Sequence, residues 1–282
     1  AGFGTGCFTT IIISSDQVEA ILKNPLVKAA TLTGSEPAGS AVSSTASSEI
    51  KKTVLELGGS DPYIVLEDAD IDHAVAQCVE SRLLNTGQSC IGAKRFIIVK
   101  QVYREFLDKF YDAMESATIG DPMQAVDVGP MARHDLRDEV HSQVVDSVKA
   151  GAELVLGGYV PDEPGAYYPP TILTDIQPGS PAWDDEIFGP VASLFEADDE
   201  AHAIQIANDT KFGLGGCIFT QDIQRGERIA KEEIESGSCF VNHYVKSDPR
   251  LPFGGINTSG FGRELSYYGI REFVNVKTIS IL

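Results

Sequence analysis

The sequence predicts an α/β protein with a parallel, doubly wound sheet, and three observations lead to that fold class. Short runs of β-branched and aromatic residues alternate with longer segments in which apolar residues recur at helical spacing, as in repeated strand–helix units. The 282 residues allow one large domain or two smaller ones. Hydrophobic residues make up 43% of the chain and charged residues 22%, which is ordinary for a globular protein and argues against wholesale disorder.

The first 66 residues predict a regular alternation of strand and helix. Asp16 is expected to cap a short helix that runs through Lys23, and Asn24-Pro25 is expected to end that helix. A second helix, rich in small residues, is expected over residues 38–50. Strands are expected over residues 8–13, 27–32, 53–57 and 63–66.

The same alternation continues to the C-terminus. Helices are expected over residues 72–85, 102–117, 136–150 and 223–233, and one more helix ends at residue 207. Strands are expected over residues 95–99, 153–156, 191–195, 216–219, 238–242 and 274–282. Stretches rich in Pro and Gly interrupt this pattern at residues 157–170 and 176–190, and a Gly-rich stretch does so at 251–262.

The charge of the chain argues against two classes of partner. Asp and Glu number 41 against 22 Lys and Arg, which gives a formal net charge of −19 at pH 7. A field of that sign repels nucleic-acid phosphates and anionic lipid headgroups, so we expect neither nucleic acid nor a membrane as partner. No apolar run reaches the roughly 18–20 residues that a membrane span needs.

The cysteines and the first residues indicate a reducing compartment. Five cysteines occur at wide spacings and form no CxxC motif, as in a cytosolic chain with free thiols. The first residues carry no basic segment of a secretory signal, so we expect a cytoplasmic protein. One of the thiols could act as a nucleophile, although free cysteines are more often small buried hydrophobic residues.

A run of acidic residues at positions 68–72 has the spacing of calcium ligands but not the rest of the motif. Asp68, Asp70 and Asp72 are followed by His73, where a calcium loop needs Gly, and by Val79, where it needs Glu. Acidic residues at the start of a helix explain this run better. The histidines show no metal-binding spacing either, so we expect no metal site.

Four short blocks carry groups that are suited to catalysis. Glu56 leaves an apolar strand and enters the Gly58-Gly59 turn, at the end of a strand where α/β proteins place their sites. Cys90 follows a turn that contains Gly87, and a thiol there could attack a carbonyl with its own amide as an oxyanion donor. Taken alone, Glu56 could be a surface residue and Cys90 a buried structural thiol. The other blocks lie at residues 186–190 and at 252–255 with 259–264.

In this order and at these separations, the four blocks resemble the aldehyde dehydrogenase superfamily. Glu56 precedes Cys90 by 34 positions, as that family requires. Further similarity at residues 33–39, 67–70 and 167–171 extends the resemblance over essentially the whole chain. The resemblance implies an aldehyde dehydrogenase-like α/β fold, with a three-layer αβα catalytic domain and the remnant of a Rossmann-like coenzyme domain.

The resemblance also implies a division of the chain. Residues 1–57 would be part of the coenzyme-binding domain, residues 58–257 the catalytic domain, and residues 258–282 a return to the coenzyme domain that ends in an oligomerisation strand. In the family, the first βα units, a Lys near the adenosine ribose and an Asn of the oxyanion hole lie upstream of these segments. We therefore expect a C-terminal portion that binds dinucleotide weakly and has little or no activity by itself.

The chemistry that the resemblance implies is oxidation of an aldehyde to a carboxylic acid with NAD or NADP as cofactor. Cys90 would attack the aldehyde to give a thiohemiacetal, and a hydride would pass to the nicotinamide. Glu56 would then act as the general base for the water that hydrolyses the remaining thioester.

The cofactor and substrate residues are carried over from the family in the same way. Glu186 would bind the nicotinamide ribose and Phe188 would lie beside the ring. Gly34 and Ser35 correspond to the segment that contacts the pyrophosphate. Leu57 and Gly58 correspond to backbone near the nicotinamide.

Two segments are similar to the succinate-semialdehyde dehydrogenase branch of the family. They are residues 87–96 and residues 247–253. Ser247 and Arg250 could bind the carboxylate of an anionic aldehyde. The partners expected on this basis are a small aldehyde substrate and further copies of the same chain in a homo-oligomer.

Two alternatives stay open at this point. A catalytically idle protein could retain the fold as a scaffold or as a subunit partner. An aldehyde dehydrogenase that transfers the acyl group to coenzyme A ranks lower, because such enzymes commonly lack the hydrolytic Glu and Glu56 is present here.

Overall fold

A computed structural model describes residues 2–282 of the chain and shows two β-sheets with helices packed against them. Its strands are β1 (Ala29–Thr33), β2 (Lys52–Glu56), β3 (Pro62–Val65), β4 (Arg95–Val99), β5 (Glu153–Leu156), β6 (Thr171–Thr174), β7 (Val191–Ala197), β8 (Cys217–Phe219), β9 (Phe240–Val241) and β10 (Gly260–Phe261). Its α-helices are α1 (Val18–Lys23), α2 (Glu36–Ser48), α3 (Ile71–Leu83), α4 (Lys100–Glu115), α5 (His134–Lys149), α6 (Pro181–Asp184), α7 (Glu200–Asn208), α8 (Ile223–Glu232) and α9 (Ser266–Arg271).

The larger sheet has seven strands and is covered by helices on both faces. Its order is β5-β6-β7-β4-β3-β8-β9, and every pair is parallel except β5 with β6. In β4, Phe96 and Ile98 belong to a core cluster with α3 and α4, whereas Ile97 and Val99 belong to a second cluster with α5, α7 and α8. Alternate residues of one strand are therefore buried on opposite faces, and the expected three-layer αβα arrangement is confirmed.

The smaller sheet has three strands in the order β1-β2-β10. β1 and β2 are parallel neighbours, and β10, from the far end of the chain, pairs antiparallel with β2. The five residues that follow β2, residues 57–61, are all buried and lead directly into β3 of the larger sheet. The end of β2 thus lies where the two sheets meet. The proposed domain boundaries at residues 57 and 258 stay a prediction.

Two predicted strands, at residues 8–13 and 274–282, do not form. Within residues 2–282 neither segment pairs with a strand, and both are exposed, with Ile12 98% and Val276 96% accessible. Their β-branched residues favour a strand locally, but a strand also needs a neighbour that takes up its backbone hydrogen bonds. The cap of the first helical segment also differs, because Ser14 rather than Asp16 is its N-cap.

Most other elements lie within two or three residues of their predicted positions. The sequence did not predict the short elements β6, α6, β10 and α9. β6 consists of four buried residues directly after Pro169 and Pro170. Its conformation is determined by pairing with β5 and β7 and not by its own composition. Among the helices of residues 2–282, none combines the length and the apolarity that crossing a membrane requires.

Candidate active site

A cavity of about 590 Å³ lies between the two sheets and collects the predicted catalytic and cofactor residues. Both predicted catalytic residues and all six predicted cofactor residues line it: Cys90, Glu56, Gly34, Ser35, Leu57, Gly58, Glu186 and Phe188. Leu136, Glu139, Val140 and Gln143 of α5 form one wall. Residues far apart in the sequence therefore share one cavity that is large enough for a small ligand.

Glu56 is the last residue of β2 and its carboxyl group is buried without a hydrogen-bond partner. The side chain is 3% exposed, and neither carboxyl oxygen accepts a hydrogen bond. Burial, with a smaller contribution from the charge of Glu264, raises the pKa of Glu56 to about 8, and Arg263 opposes this rise. A carboxyl group with a pKa near neutrality can take up and release a proton under working conditions, as a general base must.

Cys90 is a free thiol that is half-buried at the wall of the same cavity. Burial raises the pKa of Cys90, while the ammonium of Lys94 lowers it and the carboxylates of Asp61 and Glu186 raise it further. The thiol is therefore protonated in the resting site, and attack on a carbonyl requires loss of that proton. Glu56 is the unpartnered carboxyl group that lines the same cavity.

The turn before Cys90 has a backbone that only particular residues tolerate. Asn85 and Thr86 have positive φ angles of 54° and 57°, and Gly87 follows with a φ of 72°. A Cβ atom on Gly87 would lie 2.2 Å from the carbonyl oxygen of Gly189. The turn and the segment that carries Glu186 therefore pack directly on each other, and Gly87 permits that approach.

Glu186 is held in place by a backbone amide and by a buried lysine. Its Oε1 accepts a hydrogen bond from the Gly59 N–H at 3.1 Å and forms an ion pair with Nζ of Lys94 at 3.1 Å. Oε2 lies 2.2 Å from the position that a Cβ atom on Gly58 would occupy, so the missing side chain makes room for the carboxylate. Lys94 also lies 5.9 Å from the centre of the Phe188 ring.

The N-terminus of α2 opens into the cavity beside the end of β2. Ser35 is the N-cap and accepts a hydrogen bond from the Ala38 N–H, and the Gly34 N–H donates to the carbonyl of Glu56 at 3.0 Å. The carboxylate of Glu36 pairs with Lys211 at 3.3 Å and does not line the cavity. This helix end therefore offers a positive dipole and amide groups that suit a phosphate.

Ser247 and Arg250, the predicted substrate residues, do not line this cavity. Both are exposed, and Arg250 forms an ion pair with Asp248 at 2.6 Å with an 86% exposed side chain. The same pair lowers the pKa of Asp248. Contact between these residues and a substrate stays a prediction.

The sequence reasoning assigned no role to the buried charges beneath the site. Lys94 and Asp61 are 2% and 1% exposed. Asp61 accepts a hydrogen bond from the Gly215 N–H at 2.9 Å, and burial raises its pKa to about 7 against the opposing charge of Lys94. One sequence feature could have identified them, namely a charged residue directly before a buried strand. Asp61 directly precedes β3, and Lys94 directly precedes β4.

The described residues hold no cluster of potential metal ligands. Within residues 2–282, no group of three or more His, Cys, Asp or Glu side chains is arranged to bind a metal ion.

Comparison with known proteins identifies the family that this chain matches. A model of the aldehyde dehydrogenase family matches residues 1–279. The chain is 52% identical over 280 residues to a protein of Mycobacterium ulcerans named succinate-semialdehyde dehydrogenase [NADP(+)] 1. That match covers 99% of this chain and 61% of the relative, so the chain spans about three fifths of the length of the curated relatives that it matches.

Solved structures give the same result for the fold. The succinic semialdehyde dehydrogenase of Streptococcus pyogenes, solved in complex with NADP+, superposes with a TM-score of 0.93 at 40% identity. The superposition covers 95% of this chain and 59% of that structure. The lactaldehyde dehydrogenase of Escherichia coli superposes with a TM-score of 0.89 at 32% identity, covering 93% and 55%, respectively.

Proposed function

This chain belongs to the aldehyde dehydrogenase family, and from that premise we propose that it carries the nucleophile and the base for oxidation of an aldehyde to a carboxylic acid. One observation supports this proposal above the others. A single cavity brings together a free thiol, a buried carboxyl group without a partner and a helix N-terminus. Nothing in the packing of a merely structural core requires that combination.

Cys90 acts as the nucleophile in this proposal. Its sulfur forms a bond to the carbonyl carbon of the aldehyde, the thiol proton leaves to a base or to water, and the carbonyl oxygen becomes an oxyanion. The amide N–H of Cys90 itself would donate to that oxyanion. Loss of hydride from the carbon leaves a thioester on Cys90.

Glu56 then acts as the base for hydrolysis of the thioester. A water molecule attacks the acyl carbon, Glu56 takes its proton, and the carbon–sulfur bond breaks to release the carboxylic acid and restore the thiol. The pKa of Glu56, raised to about 8, suits this role because the ionised carboxylate is then a stronger base than an ordinary one. The presence of this base favours hydrolysis over transfer to coenzyme A.

The residues around the cavity fit a nicotinamide dinucleotide, which accepts the hydride when it is bound. Gly34 and Ser35 would hold its phosphates at the N-terminus of α2. Gly58 leaves room for the carboxylate of Glu186, and Glu186 would accept hydrogen bonds from the ribose hydroxyls. Phe188 would lie against the nicotinamide ring. The names of two relatives favour NADP, and we propose NADP or NAD as the cofactor.

The substrate that we propose is succinate semialdehyde, since the names of two similar proteins include it. Ser247 and Arg250 are our candidates for binding its carboxylate. In this structure Arg250 already binds Asp248, so substrate binding by Arg250 would require exchange of one carboxylate for another.

We also propose that the protein assembles into a homo-oligomer in the cytoplasm. Segments 8–13 and 274–282 carry exposed apolar side chains, among them Phe8 at 91% and Ile281 at 90%. Apolar segments of this kind are expected to be covered in the working assembly. Light scattering on the purified chain measures the oligomeric state, and a strictly monomeric chain would contradict this part of the proposal.

The direct test is oxidation of succinate semialdehyde by the purified chain with NADP+ and with NAD+, for the parent and for Cys90→Ala. Because the relatives are longer, we expect the chain alone to oxidise the aldehyde slowly and to bind dinucleotide weakly in calorimetry. Any turnover that occurs should vanish in Cys90→Ala. Turnover that survives this substitution would reject the proposal, and a thiol at Cys90 that is inert toward every acyl donor would favour an idle scaffold.

A further inference from the structure

Lys94 is a buried cation whose ammonium lies beneath the loop that carries Cys90. Its side chain is 3% exposed, and Nζ donates to the carbonyl oxygens of Ser89 and Cys90 at 3.0 Å each and of Gly92 at 3.2 Å. The fourth acceptor is Oε1 of Glu186 at 3.1 Å. Burial of an ammonium is costly unless it is paired and hydrogen-bonded, and here it faces four acceptors from two segments of the chain.

The two nearer carbonyls belong to the peptide groups on either side of Cys90. In a planar trans peptide the C=O of one residue and the N–H of the next point in opposite directions. Lys94 draws the Ser89 carbonyl toward itself, which turns the Cys90 N–H away from the ammonium. Lys94 draws the Cys90 carbonyl in the same way, which turns the Ile91 N–H away as well.

These two N–H groups are the ones that the chemistry of Cys90 needs. The Cys90 N–H is the oxyanion donor in the proposed reaction, and the Ile91 amide lowers the pKa of the Cys90 thiol and so favours its ionised form. One ammonium therefore orients two donors on the reactive side of the loop. Its positive charge and the two aligned peptide dipoles act in the same direction, toward negative charge on the sulfur.

We propose that Lys94 is a positioning residue, which fixes the two peptide planes around Cys90 and ties this loop to the carboxylate of Glu186. The proposal rests on the proposed role of Cys90 as nucleophile. It adds that one cation, Lys94, contacts both the Cys90 loop and the carboxylate of Glu186. Lys94 itself is placed below the loop and does not contact the substrate.

The test is the pH dependence of alkylation of Cys90 by iodoacetamide, followed by mass spectrometry of the peptide that contains Cys90. This measurement needs neither cofactor nor aldehyde. The charged groups that face Cys90 are Lys94, Asp61 and Glu186, and Glu56 lines the same cavity. For Lys94→Met we expect the midpoint of alkylation to rise by at least about one pH unit, which corresponds to about tenfold slower alkylation at pH 7.

Two further variants serve as a substitute and as a control. Lys94→Gln keeps a donor but no charge, and it replaces Lys94→Met if that variant does not fold. Lys100→Met is the matched control, because Lys100 is exposed and pairs with Asp198 far from the cavity, and its midpoint should equal that of the parent.

The double variant Lys94→Met with Glu186→Gln removes both members of the ion pair. If Lys94 acts on the peptide groups and on the sulfur, the double variant still has a higher midpoint than Glu186→Gln alone. The proposal would be overturned if the double variant and Glu186→Gln had the same pH midpoint of alkylation. It would also be overturned if Lys94→Met and Lys94→Gln both kept the midpoint of the parent. Failure of the proposed function can be told apart from failure of the Lys94 proposal. Aldehyde oxidation that persists in Cys90→Ala rejects the function, whereas the role of Lys94 is decided by the alkylation of Cys90.

Discussion

Glu56 and Gly260 are register partners across the antiparallel pair of β2 and β10. Glu56 is thereby held by a segment that lies near the other end of the chain. Gly260 has a φ of 112°, and a Cβ atom there would lie 2.0 Å from the carbonyl oxygen of Leu55. The end of β2 can keep its position only because residue 260 has no side chain.

The first prediction follows from this contact. Gly260→Ala should lower the free energy of unfolding by about 1–3 kcal/mol, because the strained φ is added to a clash with β2. Gly129→Ala is the matched control, since a Cβ atom there would meet Pro122 at an ordinary distance of 3.4 Å. Urea unfolding of both variants measures the difference, and equal stabilities would show that β10 does not hold β2 in the described register.

The second prediction concerns the pH dependence of stability. The pKa of Glu56 rises from an ordinary value of 4.5 to about 8 on folding, so the folded protein binds this proton more tightly than the unfolded chain. The contribution of Glu56 to stability is therefore fully present below pH 4.5 and is lost as the pH rises through about 8.

Glu56→Gln is neutral at every pH and should not show this loss. Its melting temperature should exceed that of the parent by a margin that widens between pH 4.5 and pH 8 and is constant above. Asp61, whose pKa also rises on folding, is present in both proteins and cancels in the comparison. A margin that stays the same from pH 5 to pH 9 would contradict the raised pKa.

The third prediction concerns the thiols. Cys78 and Cys217 are buried, and burial raises the pKa of Cys239 to about 12, whereas Cys7 is exposed. The parent should therefore react with iodoacetamide at Cys7 as well as at Cys90, and Cys7→Ser should leave Cys90 as the most reactive thiol. Peptide mass spectrometry identifies the site, and first labelling of Cys78 or Cys239 would count against the role of Cys90.

The fourth prediction concerns the substrate carboxylate. Arg250→Ala should raise KM for succinate semialdehyde more than for an uncharged aldehyde of similar length, without a measurable loss of stability, since its ion pair with Asp248 is on the surface. Asp248→Asn frees Arg250 and should lower KM for succinate semialdehyde alone. Equal effects of Arg250→Ala on both aldehydes would indicate that the carboxylate binds elsewhere.

Much of the site could be predicted from the sequence because its residues lie in short blocks with defined local geometry. A Glu before Gly58-Gly59, a Cys after Gly87 and a Ser at a helix N-cap each occupy turns that need those residue types. The fold places the ends of those blocks around one cavity, and the eight predicted catalytic and cofactor residues line it, whereas Ser247 and Arg250 do not. The cofactor roles of these residues followed from the resemblance of the blocks, in their order and spacing, to the aldehyde dehydrogenase family.

Contacts between distant segments could not be predicted in the same way. The pairing of Lys94 with Glu186 depends on the packing of the Cys90 loop against another loop, and nothing near Lys94 in sequence indicates it. The strand predicted at residues 8–13 failed for the same reason, because its apolar composition says nothing about whether a neighbouring strand is present. Ser247 and Arg250 were assigned by similarity of sequence, and their exposure depends on tertiary structure.

The central claim is that Cys90 forms an acyl intermediate that Glu56 helps to hydrolyse, and trapping that intermediate tests the claim most directly. The chain is mixed with p-nitrophenyl acetate, quenched and examined by peptide mass spectrometry, for the parent, Glu56→Gln and Cys90→Ala. We expect an acetyl thioester on Cys90 that persists in Glu56→Gln, where deacylation is about 10²–10⁴-fold slower, and turns over in the parent. Cys90→Ala should show neither the acetyl group nor the burst of p-nitrophenolate. A burst of unchanged size in Cys90→Ala, or an acetyl group on another residue, would contradict the account.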